Sequence, residues 1–472
     1  MTVFLGGDWV KQKNNEEQKE KADKNEIKNM TEGSPIKLIF AFAIPMLIGN
    51  IFQQLYNMVD SIVVGNYVGK IALAAVGTGF PIIFMMSSMF IGIALGATIL
   101  ISQFYGAGDI NNVKKTAQTI YTAMMIGAIP LSVIGILLSG PILHLTNVPT
   151  DTFPMAKQYM IIVFAGMIGS LGFNVNSGIL QGLGDSKSSL LFLAVACAIN
   201  IVLDLVFVLV FHLGVSGVAY ATIIAQFFSW IFGIIYMRKK YYFLDISIFK
   251  FEFDKITFKK ILKLGIPSGL QQALFSIGIM SLQSLVNSYG SDFMAGFNAA
   301  NKIDTFAFMP IQSFSNAVTT YVGQNIGAGR MDRVHKGMVS TVIISMLFSA
   351  VIGAILLPFG PSIMRMFNPD PIVIESGMYY LKSVVPFFAL LALVFTLNAV
   401  VRGAGEAVVP MLASILSLWF ARVPSAYLIA HYFGKEYIFY SYTIGWAIWF
   451  IIIVPYYISG KWKNKSTKLI GE

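Results

Sequence analysis

The sequence predicts an all-α membrane protein of twelve transmembrane helices in two six-helix lobes, and three observations carry that expectation. Charged residues make up 12% of the 472-residue chain and apolar residues 56%. An ordinary soluble domain carries roughly 25% charge, so a water-soluble surface of this size cannot be built here. Apolar runs of about 20 residues, each long enough to cross a bilayer, recur from Ile36 to the last tail, which excludes a soluble domain on a single anchor. The 42 glycines and 17 prolines would puncture soluble helices, but membrane bundles re-satisfy the freed backbone groups and use glycine for close packing.

Cutting the chain at charge and turn clusters gives spans beginning near residues 38, 71, 116, 158, 188, 215, 261, 293, 337, 377, 407 and 437. The polar stretch 1–34 reads as a solvated tail with no cleaved targeting segment, 35–237 as a first six-helix lobe, 238–260 as a basic linker, 261–460 as a second lobe and 461–472 as a basic tail. The short connections after odd-numbered spans hold five basic residues: Lys70, Lys157, Arg365, Lys382 and Lys435. Both tails and the even-numbered connections collect 26 of the 33 Lys and Arg, which places both termini in the cytoplasm of a multi-pass cell-membrane protein. This distribution also accounts for the net charge of +10 without any nucleic acid. Only Lys302 and Arg422 are left inside spans.

The two halves repeat. Gly69, Gln103, Gly106-Ala107-Gly108, Asn147, Gly182, Gly184 and Asp185 recur, at a constant shift of 221, as Gly290, Gln324, Gly327-Ala328-Gly329, Asn368, Gly403, Gly405 and Glu406. Ile44-Pro45 answers Ile266-Pro267 at a shift of 222. Six spans per copy give both copies one orientation, so the lobes are related by a pseudo-two-fold along the membrane normal, the geometry of a transporter that rocks about a central cavity.

These residues resemble a known family. Ile44-Pro45, the stretch Met58-Val59-Asp60-Ser61 leading to Gly65 and Gly69, the paired Gln-x-x-Gly-Ala-Gly loops, Gln181-Gly182-Leu183-Gly184-Asp185 and Arg402-Gly403-Ala404-Gly405-Glu406 look like the multidrug and toxic compound extrusion family over residues 35–460. The resemblance implies a cation-coupled antiporter that exports amphipathic, often cationic organic compounds in exchange for sodium ions or protons. It implies no other cofactor.

Ionisable groups in hydrocarbon cost roughly 2.5–3.5 kcal/mol on insertion scales, so survivors pair or line a water-filled path. Asp60 in span 1, Asp204 in span 5 and Thr222 in span 6 fall at one depth, given a rise of about 1.5 Å per residue. Asn200 lies one turn from Asp204 on the same face. Together they offer carboxylate, amide and hydroxyl oxygens to a small cation. Oxygen donors suit sodium, and two desolvated carboxylates suit a shared proton. In the family, this set matches the coupling residues of the prokaryotic branch resembling damage-inducible transporters, with Gln53 and Asn176 as further cavity carry-overs. Pro45, on the helix of Asp60, is the hinge candidate. The second lobe does not copy the cluster, since the shift carries Asp60 to Ser281 and Asp204 to Ser425. It offers instead Lys302, Asp304 and Arg422, read as a structural ion pair of Asp304 with one of the two cations or as a cargo or coupling site. The branch that couples through a span 7 glutamate is unmatched, because Gln271, Gln272 and Gln283 stand there.

Other classes fare worse. The lone Cys197 makes no disulfide framework and no Cys/His metal cluster. The Gly-Ala-Gly loops lack the Gly-Lys-Ser/Thr of a phosphate loop, so no ATP-driven mechanism is expected. His144, His212, His335 and His431 flank loops or an outer helix end, and no nucleophile, base and orienter meet within the spans, so an enzyme is not expected. The alternative transport reading is a lipid-linked saccharide flippase of the related superfamily, whose cavity would need a ring of Arg or Lys around a diphosphate. The expected partners are the bilayer and small amphipathic cargo, with no obligate protein partner.

Overall fold

The computed structural model describes residues 29–246 and 251–463. The tail up to residue 28, the tail beyond 463 and linker positions 247–250 lie outside the described residues. No strand occurs among the described residues. Twelve helical spans follow one another: α1 Pro35–Val68, α2 Lys70–Gly106, α3 Ile110–Leu145, α4 as the pair Phe153–Ala165 and Met167–Leu183 bent by 53°, α5 Ser186–Val210 and α6 Gly214–Lys240. The second set is α7 Lys255–Asn287, α8 Ser291–Gly327, α9 Met331–Arg365, α10 Pro371–Gly403, α11 Val408–Tyr432 and α12 Tyr440–Ile458.

Several helices begin up to six residues before the apolar run that announces them, because polar first turns carry them past the hydrocarbon. Capping aspartates set those starts: Asp109 accepts from the Asn112 amide at 3.0 Å and Asp254 from the Thr257 amide at 2.7 Å. Helix therefore occupies both margins of the linker expected at 238–260. Spans α7 and α8 are the least apolar, since their faces carry Gln271, Gln272, Gln312 and Asn316 into a chamber between the lobes.

Each lobe is built around one buried cluster, and the crossing helices share them: Ile261 and Leu264 of α7 join the first, and Ile39 and Phe42 of α1 join the second. Phe164, Phe192 and Trp230 centre the first, and Phe297 stacks on Phe439 at 5.3 Å in the second. Between the lobes, α7 lies along α2 in backbone contact: a Cβ on Gly92 would stand 2.2 Å from the Gly269 nitrogen, and one on Gly96 would stand 2.5 Å from the Ile261 oxygen. A bond of 3.1 Å from Asn50 to Ser313 joins α1 to α8.

At the end that carries both termini the repeat closes on itself. Gln103 Nε2 donates to the Gly403 carbonyl at 2.9 Å, and Gln324 Nε2 donates to the Gly182 carbonyl at 3.1 Å. Gly106 and Gly327 lie so close to the opposite chain that a Cβ would meet the Gln324 and Gln103 carbonyl oxygens at 2.0 and 1.9 Å. Of the tail expected to be solvated over 1–34, residues 1–28 lie outside the described residues, and within 29–34 the structure departs from that expectation at two positions. Met30 and Thr31 are buried, because the Met30 amide donates to Gln324 Oε1 at 3.0 Å and its carbonyl accepts from Asn325 at 3.1 Å and Arg333 at 3.3 Å.

Candidate functional site

Three places hold polar chemistry inside the bundle. In the first lobe, α1, α5 and α6 bring Asp60, Asn200, Asp204 and Thr222 together, all buried, with Asp204 fully enclosed. The Asp60 and Asp204 carboxyls lie near enough to feel each other's charge. Asp60 Oδ1, both Asp204 carboxyl oxygens and both polar atoms of the Asn200 amide are buried without a hydrogen-bond partner. Such orphaned groups cost about 1–3 kcal/mol each, more when charged, so the cluster is built to receive something. Thr222 Oγ1 donates 3.0 Å to the Val218 carbonyl of its own helix, which leaves its lone pairs free to accept.

Local backbone sharpens this site. Both acid-bearing helices loosen into a π-helical turn just beyond the carboxylate, Val64–Val68 after Asp60 and Val206–Val210 after Asp204. Such turns insert an extra residue and accumulate at functional positions. A cavity of about 40 Å³ adjoins, lined by Gln53, Tyr56, Cys197, Asn200, Thr222 and Gln226 among others. That is room for about one water or small cation, given the ~30 Å³ share of a water molecule. Gln53 lines this cavity beside Asn200 and Thr222. Asn176 does not line this cavity: its Nδ2 donates 2.9 Å to the Trp230 carbonyl, tying α4 to α6.

The sequence reading missed two tyrosines. The Tyr56 phenol interacts with both Asp60 and Thr222, and Tyr159 of α4 feels both carboxylates. Tyr56 stands four residues before Asp60, a spacing that signals a shared helix face. Tyr159 carries no such signal, since it reaches the cluster from another span.

The donor set fits a cation. Asp60, Asp204, Asn200 and Thr222 offer hard oxygens, and the orphaned oxygens among them are the observation that makes the fit. Two carboxylates rather than three acids contribute, and no group of three or more His, Cys, Asp or Glu able to hold a metal occurs among the described residues.

In the second lobe, Asp304 of α8 faces Arg422 of α11 and the Tyr380 hydroxyl of α10. The guanidinium carbon of Arg422 lies 3.1 Å from the Tyr442 ring centroid, stacked on the aromatic face, and Arg422 Nε has no partner. Arg422 ends a π-helical turn, Leu416–Arg422, as the acids of the first lobe adjoin theirs. Among the described residues, Asp304 makes no direct ion pair with either cation. The expected pairing survives only as attraction between Asp304 and Arg422, and exposed Lys302 stands apart, two residues along α8.

The third place is the chamber between the lobes, about 430 Å³, lined from α2, α4, α7, α8, α10 and α12. Its wall is amide and aromatic, with Arg402 as the one charged lining residue. The sequence reading placed Arg402 in a connection. The helix instead runs through to Gly403, so Arg402 still belongs to α10. Its mate in the repeat, Gln181, lines the same chamber, and that equivalence was the available signal.

The comparisons with known proteins agree with this architecture. The MatE family model matches twice, over residues 45–206 and 267–428, one match per half of the repeat. A probable multidrug resistance protein, YpnP of Bacillus subtilis, is 31% identical over 448 residues, covering 94% of this chain and 99% of its own. The probable multidrug resistance protein NorM of Thermotoga maritima is 27% identical over 443 residues, covering 91% and 94%. A solved outward-facing conformation of a multidrug resistance MATE family transporter of the MOP superfamily superposes with a TM-score of 0.86 at 24% identity, covering 94% of this chain and 98% of that one.

Proposed function

Because this chain belongs to the MatE family, the multidrug and toxic compound extrusion transporters, and is a multi-pass membrane transporter rather than an enzyme, we propose that it is a cation-coupled antiporter. Sodium or protons taken up at Asp60 and Asp204 drive amphipathic organic compounds out of the cell by alternating access. The proposal places the protein in the cell membrane with both termini in the cytoplasm, as the distribution of Lys and Arg supports.

The observation that carries this reading is the facing pair of carboxylates with orphaned oxygens. Two like charges out of water repel unless a cation or a proton relieves them, so the pair binds either as co-substrate. Enclosure of Asp204 means that exchange with water requires α1 and α5 to part, and Pro45, inside α1, is where the helix lacks one backbone bond to resist bending. One elementary charge crossing 100 mV supplies about 2.3 kcal/mol before any concentration gradient. Coupling requires cation and cargo to favour opposite conformations, since a ligand that binds both equally shifts nothing.

A lipid-linked saccharide flippase would need several cations around the diphosphate, and the chamber lining carries one, Arg402. The deciding experiment is uptake of a fluorescent organic compound into liposomes, driven in turn by a sodium gradient and a pH gradient. Asp60→Asn and Asp204→Asn are expected to abolish driven uptake while the protein stays folded. Undiminished uptake in both variants rejects the assignment.

A further inference from the structure

Arg402 is the one charge among the residues that line the interlobe chamber, and among the described residues no ion pair balances it. Its Nε is buried without a hydrogen-bond partner. A cation held away from water is costly unless an opposite charge meets it. Three further donors in the same wall are orphaned: the Trp449 indole Nε1 and the Ser315 and Ser177 hydroxyls, on side chains 3%, 4% and 9% exposed. An indole nitrogen can only donate and a guanidinium can only donate. The unmet demand of this wall is therefore for an acceptor, and for one that carries negative charge.

The surface around those donors is aromatic, its rings set at steep angles to one another. Phe395 and Arg402 are seven residues apart on α10, two turns along one face. Phe308 meets Phe395 edge-on at 5.0 Å, and Phe395 meets Trp449 at 5.2 Å. Amides of Gln181, Gln271 and Gln312 complete the lining and hydrogen-bond polar substituents of either kind. A volume of about 430 Å³ lies within the range of drug-sized sites, roughly 300–1,000 Å³.

We propose that the chamber selects an aromatic organic anion, its ring against Phe308, Phe395 and Trp449 and its carboxylate, sulfonate or phosphate on Arg402. This rests on the export reading above and gives it a substrate class. It also departs from the cationic cargo that the family resemblance implies, because no carboxylate lines the chamber to hold a cation. The fourth and tenth spans thus place unlike residues at one repeat position, Gln181 and Arg402, and the difference sets the sign of the charge that the chamber accepts.

The test is equilibrium binding to the full chain in neutral phosphatidylcholine nanodiscs, followed by fluorescence anisotropy with no ion gradient. Carboxyfluorescein is the anion and ethidium the cation. Carboxyfluorescein is expected to bind the wild type more tightly than ethidium does. Arg402→Gln, which installs the residue of the repeat mate, is expected to weaken carboxyfluorescein by about tenfold or more, the scale of a lost hydrogen bond to a charged group, and to leave ethidium unchanged or tighter. Arg402→Lys keeps the charge and is expected to retain most of the affinity, which separates charge from folding. Trp449→Phe keeps the ring and loses the donor, with a loss of a few fold expected. Tighter binding of ethidium in the wild type, or equal carboxyfluorescein affinity in Arg402→Gln, overturns the proposal. Binding at equilibrium needs no coupling ion, so normal carboxyfluorescein affinity with failed ion-driven uptake would strike the antiport reading alone.

Discussion

Gln103 and Gln324 hold equivalent places in the two halves of the chain, and each reaches across the lobe interface to the carbonyl of the glycine that closes the other lobe's motif. The acceptors, Gly403 and Gly182, are themselves repeat mates. A pseudo-two-fold axis therefore runs through this pair of bonds, and one duplicated motif supplies both halves of the seal. A buried hydrogen bond contributes about 1 kcal/mol net, which is about fivefold in a two-state equilibrium. Gln103→Ala and Gln324→Ala are each expected to shift the protein by about that factor toward the state open at the terminal end. The shift is read from the maleimide labelling rate of a cysteine placed at buried Ser102.

The same seal makes Gly106 and Gly327 intolerant of any side chain. A methyl at either would stand 2.0 or 1.9 Å from a carbonyl oxygen of the opposite lobe, and the obstacle is backbone, which cannot rotate away. Gly106→Ala and Gly327→Ala are expected to express and fold, since each lobe keeps its buried cluster, but to fail at closure. Uptake should fall to background while the Ser102 cysteine labels rapidly. Normal uptake in either variant would show that the lobes do not need this contact to cycle.

Much of this was legible in the sequence, and the reasons divide by length scale. The spans are visible because bilayer thickness imposes a length on every apolar run, and the shift of 221 between Gln103 and Gln324 exposes the duplication without any structure. Asp60 and Asp204 stand out because acids are costly in hydrocarbon. Arg402 was hidden because a helix that runs past its apolar stretch carries its last residues into what looks like a connection. Met30 was hidden because its backbone, rather than its side chain, answers Gln324 and Asn325. Tyr159 meets the Asp60 and Asp204 cluster from another span, with no spacing in the sequence to announce it. A chain can state which residues are expensive to bury, but tertiary packing decides which of them meet.

Asn200 and Thr222 supply neutral oxygens beside the two carboxylates, so their loss should weaken the coupling cation without removing the charge that attracts it. Asn200→Ala and Thr222→Val are each expected to raise the half-saturating cation concentration for driven uptake by about tenfold, the scale of one contact to a charged group. The maximal rate should stay near that of the wild type. A variant that lowers the rate and leaves cation dependence unchanged would assign the residue to helix packing.

Asp185 ties the stability of the first lobe to pH. It ends the turn after Gly184, caps α5 by accepting from the Ser188 amide at 3.0 Å, pairs with Lys240 at 3.1 Å and accepts from the Tyr241 hydroxyl. Burial alone would raise its pKa, but the bonds from Ser188 and Tyr241 and the Lys240 charge bring it below the ordinary 3.8. A carboxyl with a lowered folded value contributes stability above its ordinary range and loses it as pH falls through the lowered value. Asp185→Asn is expected to cost about 1–3 kcal/mol at pH 7, the range for a helix cap and a charged hydrogen bond, with a correspondingly lower melting temperature in detergent. The gap from wild type should narrow as pH falls below 3.8, where the carboxyl of the unfolded chain takes up a proton, and close once pH passes the lowered folded value. Asp332→Asn is the control: its bridge to Arg330 is solvent-exposed on both sides, and exposed pairs contribute little, so its melting temperature should follow the wild type across the whole range.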